Sequence, residues 1–165
     1  MSISREVLAK YIKPGCVFVE TGSRWGDTCI RAIELGAKLC WTCESDSLMA
    51  GIAQAHVNDA TKGAVFVLNV DSKCFLMDGF HVWGRRGDII VYLDAHTETS
   101  SPVMEELLAI DHWGSKPAVI LIDDMRCMND WKVSEHVLCG RLEGMGYRLS
   151  REDGVVKGDI LVARL

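Results

Sequence analysis

The feature that most constrains this chain is a repeated alternation of two kinds of segment. Five short apolar runs, residues 16–21, 38–44, 64–70, 88–94 and 117–123, are bounded by Gly, Asp or Pro. Their length and bounding residues read as strands buried on both faces. Between them lie stretches with helical spacing, 27–35, 47–58, 72–80, 102–111 and 130–140. A helix over 4–12 leads the chain, and strands over 147–151 and 155–164 close it. Strands alternating with helices demand parallel pairing with helices on both faces. The closing pair flanks Asp153-Gly154, a hairpin signal, and so adds one antiparallel strand near the C-terminus. The expected fold is α/β: a doubly wound, mostly parallel seven-stranded sheet. The three prolines, Pro14, Pro102 and Pro117, each fall at the start of an element, where a fixed φ does least harm.

At 165 residues the chain is expected to form a single domain, with an N-terminal helix over 1–13 and a core over 14–165. Hydrophobic residues at 48% and charged residues at 25% argue against disorder. No apolar run reaches the roughly 18–20 residues that cross a bilayer. The opening Met1-Ser2-Ile3-Ser4-Arg5-Glu6 lacks a signal-peptide pattern, so a cytoplasmic protein is expected. Lys plus Arg is 18 and Asp plus Glu 23, a net charge of −5. Neither nucleic acid nor an anionic membrane is an expected partner for that charge. The one close basic pair, Arg85-Arg86, reads as a solvated turn. Seven cysteines at irregular spacing suit reduced thiols. Cys40 and Cys43 lie three apart on a strand and so point to opposite faces, which argues against a zinc pair.

In such sheets ligands bind outside the carboxyl ends of the strands. Strand one ends in Glu20-Thr21-Gly22-Ser23-Arg24-Trp25-Gly26-Asp27-Thr28. Its glycines permit positive φ and close backbone approach, and the following helix offers free N–H groups. Gly-x-Gly-x-x-Gly and the Gly-Lys-Ser/Thr of a phosphate loop are both missing. The acid before the first glycine suits a cationic or zwitterionic ligand. Glu44 ends strand two, where an acid accepts from ribose hydroxyls. Asp71 and Ser72, after strand three, are placed to meet an adenine. Each alone reads more readily as a helix cap or turn; together they favour an adenosine-containing ligand. Asp94 ends strand four and Asp123-Asp124 ends strand five. Three such carboxylates repel without a counter-charge, and Mg²⁺ is the hard cation that suits them. Against this, Asp124 reads equally as a helix cap and Asp94 as a backbone-bonded turn residue.

These residues resemble the class I S-adenosylmethionine-dependent methyltransferases, a Rossmann-like family. The segment from Glu20 to Gly26 resembles their glycine-rich motif, Glu44 their ribose-binding acid, and Asp71-Ser72 their adenine-side motif. The pattern Asp94…Asp123-Asp124 is similar to that of metal-dependent macrocin- and novobiocin-type sugar O-methyltransferases. Two departures stand out: His96 replaces the second Asp usual after strand four, and 113–117 replaces a Pro-Gly-Gly turn. Both bear on the substrate more than on the cofactor.

The resemblance implies S-adenosylmethionine as cofactor, bound by Glu20, Thr21, Gly22, Ser23, Gly26, Asp27, Thr28, Glu44, Asp71 and Ser72. It implies Mg²⁺ held by Asp94, Asp123 and Asp124, orienting an acceptor hydroxyl on a small molecule or sugar. Asp94 is the expected proton acceptor, with His96 the alternative base; His96 is equally open as a metal ligand or a structural residue. Two other readings stand beside this one: a non-catalytic module keeping the fold and cofactor pocket, and a nucleotide-dependent oxidoreductase. Trp25 and Trp131 are candidates to line a pocket; Trp41, Trp83 and Trp113 read as packing. Cys127 reads as a plain thiol, and Arg126 as either a substrate-carboxylate ligand or solvated. The elements leave no room for a lid, so an open acceptor site is expected: the substrate is large, or a second copy in a homo-oligomer completes the pocket, or acceptor binding has been lost.

Overall fold

The computed structural model describes residues 3–82 and 88–165. Trp83 and Arg85-Arg86 lie outside the described residues. The elements run α1 (Arg5–Ala9), β1 (Val17–Thr21), α2 (Asp27–Glu34), β2 (Leu39–Glu44), α3 (Ser47–Thr61), β3 (Val65–Asn69), α4 (Ser72–Val82), β4 (Ile89–Leu93), α5 (Val103–Asp111), β5 (Val119–Ile122), α6 (Glu135–Gly144), β6 (Arg148–Glu152) and β7 (Ile160–Arg164). A single 3-10 turn, Met125–Cys127, follows β5.

Seven strands form one sheet in the order β3-β2-β1-β4-β5-β7-β6. Strands β1 to β5 pair in parallel, while β7 runs antiparallel to both β5 and β6. The antiparallel strand is therefore inserted between β5 and β6, and does not lie at the sheet's end. The side chains explain the order. Ile160, Leu161, Val162 and Ala163 are all buried and need neighbours on every side, whereas β6 carries exposed Arg148 and Arg151 and suits an edge.

Strand alternation splits the apolar side chains into two cores. Val17, Val19, Ile89, Val91 and Ile120 face one layer, with Leu76 of α4, Leu107 of α5 and Leu138 of α6. Phe18, Ile90, Tyr92 and Leu121 face the other, with Leu8 of α1 and Ala32 of α2. Cys40 lies in the second core and Cys43 in the first, and all seven thiols are free. Each fully buried Leu or Ile contributes about 1.5–3 kcal/mol.

Two boundaries differ most from the sequence pattern. Helix α6 starts at Glu135 and not at 130, because Lys132 turns left-handed (φ 58°) and Ser134 Oγ accepts from Val137 N at 3.4 Å. Strand β7 starts at Ile160 and not at 155. Asp153 Oδ1 accepts from Gly158 N at 2.8 Å and closes a loop that leaves Val155 and Val156 exposed. No described helix is long and apolar enough to cross a membrane.

Candidate functional site

The carboxyl ends of β1, β2, β4 and β5 open onto one cavity of about 740 Å³. That volume is in the range of small-molecule sites, roughly 300–1,000 Å³. Its walls include Glu20, Gly22, Ser23, Asp27, Thr28, Glu44, Asp71, Ser72, Asp94, His96, Asp123 and Asp124. Of the cofactor, metal and catalytic candidates named from the sequence, Thr21 and Gly26 alone are not among its walls.

Those two act from behind. Thr21 is buried, and its Oγ1 accepts from Asp94 N at 3.3 Å, tying β1 to the end of β4. Gly26 takes φ 80° at the start of α2, and a Cβ there would lie 2.4 Å from Val57 Cγ1 of α3. Gly22 also takes φ 80°, and its Cβ would lie 2.8 Å from the Asp94 carbonyl oxygen. Both glycines thus admit neighbouring protein, where the motif alone suggested room for a ligand. The Gly22 and Ser23 amides both donate to Cys43 O, at 3.1 and 2.9 Å, which docks the loop on β2. No side chain caps α2, whose first residues Asp27 and Thr28 border the cavity.

Glu20 lies at the cavity floor, 1% exposed, and accepts from Thr42 Oγ1 at 2.9 Å and Cys29 Sγ at 3.3 Å. Burial pushes its carboxyl up to about 7. Glu44 is held by two backbone amides: Oε2 accepts from Arg24 N at 3.1 Å and Oε1 from Asp46 N at 3.0 Å. Each oxygen keeps a lone pair for a further donor. Asp71 does cap its helix, Oδ1 accepting from Cys74 N at 2.9 Å, and that amide holds its carboxyl below the usual range. It borders the cavity as well. Beneath the floor, Glu106 of α5 is buried beside the Ser72 and Thr21 hydroxyls, and burial pushes it up to about 7. Neither of its oxygens makes a well-formed hydrogen bond among the described residues.

The other wall is built from side chains meeting across strands. Tyr92 alternates onto the same face as Asp94. Its hydroxyl contacts both carboxylates, Asp94 Oδ2 at 3.3 Å and Asp123 Oδ2 by a short bond, and accepts from Ile3 N at 3.2 Å. Asp123 Oδ1 accepts from Asp124 N at 2.8 Å. Asp124 sits in the left-handed region (φ 55°) and makes no capping bond. Its Oδ1 pairs with Arg126 Nη1 at 2.6 Å, its Oδ2 lies 3.3 Å from His96 Nε2, and Arg126 also pairs with the buried Asp159. Burial, then the charges of Asp123, Glu20 and Asp124, push Asp94 up to about 9. Burial raises Asp123 too, against its bonds from Tyr92 and the Asp124 amide.

The counter-charge that the sequence assigned to Mg²⁺ is thus partly supplied by Arg126. Asp94, Asp123 and Asp124 are not, as a set, among the groups of the described residues whose donors all lie within 4.8 Å of one another. Two groups among the described residues do bring one donor each within 4.8 Å of one another: Asp94, His96 and Asp124, and Asp123, Asp124 and Asp159. Sequence reading missed Tyr92, Asp159 and the pairing of Arg126. Asp159 was hidden inside an overlong strand; the signal was a Gly158-Asp159 step interrupting an apolar run.

Trp25 borders the cavity and is 44% exposed. Trp131 instead stacks on His96, centroids 4.8 Å apart at 25°. Trp113 is buried, its Nε1 donating to Leu76 O at 2.9 Å, and Trp41 stacks on Phe66. Burial raises the Cys127 thiol, which fits an unreactive group.

No protein-family model matches the chain, and no curated protein matches it in sequence. Solved structures do match its fold. The yhhF protein of Escherichia coli, described as a methyltransferase, superposes with a TM-score of 0.68 at 16% identity, covering 97% of this chain and 84% of that one. A precorrin-6y C5,15-methyltransferase from Geobacter metallireducens GS-15 gives 0.63 at 14% identity, covering 96% and 86%. TrmK of M. capricolum, in complex with S-adenosyl-homocysteine, gives 0.68 at 14% identity, covering 99% and 68%. The strand order and the inserted antiparallel β7 therefore form a fold shared with known methyltransferases.

Proposed function

We propose that this chain binds S-adenosylmethionine and transfers its methyl group to a hydroxyl of a small molecule or sugar. The observation that carries the reading is the cavity itself. Carboxylates from β1, β2, β4 and β5 surround it, and such a pocket favours a ligand bearing a sulfonium and an ammonium. Glu44, with its backbone-fixed oxygens, is the acceptor for a ribose diol. Asp71 and Ser72 border the adenine end. The structural neighbours described as methyltransferases support the same reading.

The cofactor supplies a methyl group already activated by its sulfonium. The chain's own part is to hold and orient the two reactants, which contributes much of the rate. Asp94 stands where the acceptor would enter and carries the proton transfer. Its carboxyl is raised when the cavity holds no cation, and a positive charge beside it favours ionisation. Cofactor binding therefore prepares Asp94 to accept a proton. Magnesium held by Asp94, Asp123 and Asp124 is assigned no step.

The test pairs binding with turnover. S-adenosylhomocysteine is expected to raise the melting temperature, whereas NAD and NADP leave it unchanged. Methyl transfer to a panel of sugar and phenolic hydroxyls is expected to fall by about 10²-fold or more in Asp94→Asn. Cofactor binding without turnover of any acceptor would favour a non-catalytic module. A shift with NAD alone would favour an oxidoreductase.

A further inference from the structure

We propose that the outer edge of β3 is a strand-pairing surface for a second copy of this chain, and that the Gln54 side chain holds it closed. The backbone defines the edge. Cys40 N donates to Ala64 O at 2.9 Å and Val70 N donates to Glu44 O at 3.2 Å, so Ala64 and Val70 turn their backbone groups toward β2. Backbone groups alternate sides along a strand, which turns those of Val65, Val67 and Asn69 away from β2. Among the described residues β3 is an end strand of the sheet, with no strand beyond it. Open N–H and C=O groups on such an edge are a template for another strand.

One side chain occupies that edge. Gln54 of α3 accepts from Val67 N through Oε1 at 2.9 Å, and its Nε2 donates to Val65 O at 3.5 Å. One acceptor and one donor, offered to alternate residues, are what a neighbouring strand would supply. Asn58, one turn further along α3, accepts from the same Nε2 at 2.9 Å. A primary amide has two N–H groups, so one serves Asn58 and the other Val65, and Oε1 is left for Val67. Pairing with a strand requires Gln54 to release both groups, so the closed edge and the paired edge exclude each other.

The composition of the edge selects the partner. Val65–Asn69 reads VFVLN, with no charge and no proline, and its β-branched and aromatic residues favour extended backbone. Two copies of this strand, related by a twofold axis, pair antiparallel with no like charges opposed. Phe66, 40% exposed and stacked on Trp41, adds apolar surface to that contact. The opposite edge of the sheet is protected in another way. β6 exposes Arg148 and Arg151, and charged side chains are a common guard of an edge strand. β3 carries none, and Gln54 takes their place. Nothing in this pairing depends on the methyl-transfer reading.

The experiment compares the full wild-type chain with Gln54→Ala by sedimentation velocity across a wide concentration range, together with hydrogen exchange at the Val67 amide. Gln54→Ala is expected to associate as concentration rises, to a degree the wild type does not. At low concentration its Val67 amide is expected to exchange about threefold to tenfold faster than in the wild type, the size of one net hydrogen bond. That amide is expected to regain protection as the copies pair. Gln54→Leu fills the same space without donor or acceptor and is expected to behave as Gln54→Ala does. Adding Phe66→Lys to either variant places a charge on the edge strand and is expected to restore the wild-type state. That reversal separates strand pairing from clumping of unfolded chains, and circular dichroism checks the fold of each variant. The wild-type oligomeric state in both Gln54 variants, association that Phe66→Lys does not reverse, or association that leaves the Val67 amide exchanging freely would each overturn the proposal.

Discussion

The two walls of the cavity are built by different means. On the β1–β2–β3 side, backbone amides fix the geometry: Gly22 and Ser23 donate to Cys43 O, Arg24 and Asp46 donate to Glu44, and Cys74 donates to Asp71. On the β4–β5 side, side chains fix one another: Tyr92 with Asp94 and Asp123, Asp124 with His96 and Arg126, Arg126 with Asp159. Bonds from backbone amides survive most side-chain substitutions. A side-chain wall crowded with acids changes with each member and with any cation that enters.

The largest expected effect tests the first wall where backbone meets backbone. Gly22→Ala places a Cβ in a left-handed residue, 2.8 Å from the Asp94 carbonyl oxygen. Left-handed strain of roughly 1–2 kcal/mol adds to overpacking of about 1–3 kcal/mol. Urea unfolding is expected to show a loss of about 2–5 kcal/mol, with S-adenosylhomocysteine binding lost as well.

Next comes pH, acting beneath both walls. Glu20 and Glu106 are each raised from 4.5 to about 7 by burial. A carboxyl raised on folding holds its proton more tightly in the native state. Its contribution is fully present below pH 4.5 and is lost as pH rises through about 7. Melting temperature without ligand is therefore expected to fall between pH 5 and pH 8, by several degrees for a few kcal/mol. Glu106→Gln is expected to flatten that slope. A slope that Glu106→Gln leaves unchanged would remove Glu106 as its source.

Arg126→Met probes the second wall alone. It leaves the buried Asp159 without its charge partner, at a cost of about 2–3 kcal/mol, moderated because Arg126 itself is partly exposed. Cofactor affinity is expected to stay near wild type, since Glu44 and Asp71 lie on the other wall. An equal loss of cofactor affinity would dissolve the distinction between the walls. The smallest effect is expected from Trp131→Ala, which frees the His96 ring at a cost of about 0.5–1.5 kcal/mol and shows as broader His96 ring signals in NMR.

The same contrast explains what the sequence made legible. Strands buried on both faces reveal themselves as apolar runs, and the glycine loop, Glu44 and Asp71 follow strand ends at fixed positions. All depend on local chain and backbone. The inserted position of β7 depends on which strand needs cover on every side, a comparison between β6 and β7 that neither run states alone. Tyr92 reads as one more apolar strand residue until its hydroxyl meets Asp123, and Asp159 is invisible until β7 lands beside β5. The Asp123 bond from Tyr92 joins residues 31 apart and leaves no mark on the local sequence. Val155 and Val156 read as strand because apolar residues rarely stay exposed; here they lie on a loop, and Val155 borders the cavity.

The most direct measurement of the central reading is calorimetric titration of S-adenosylhomocysteine into the wild-type chain and Glu44→Gln. The wild type is expected to bind one equivalent. Glu44→Gln is expected to bind at least about tenfold more weakly, as loss of a hydrogen bond to a charged group predicts, with its melting temperature little changed. No heat with the wild type, or equal affinity in a folded Glu44→Gln, would contradict it.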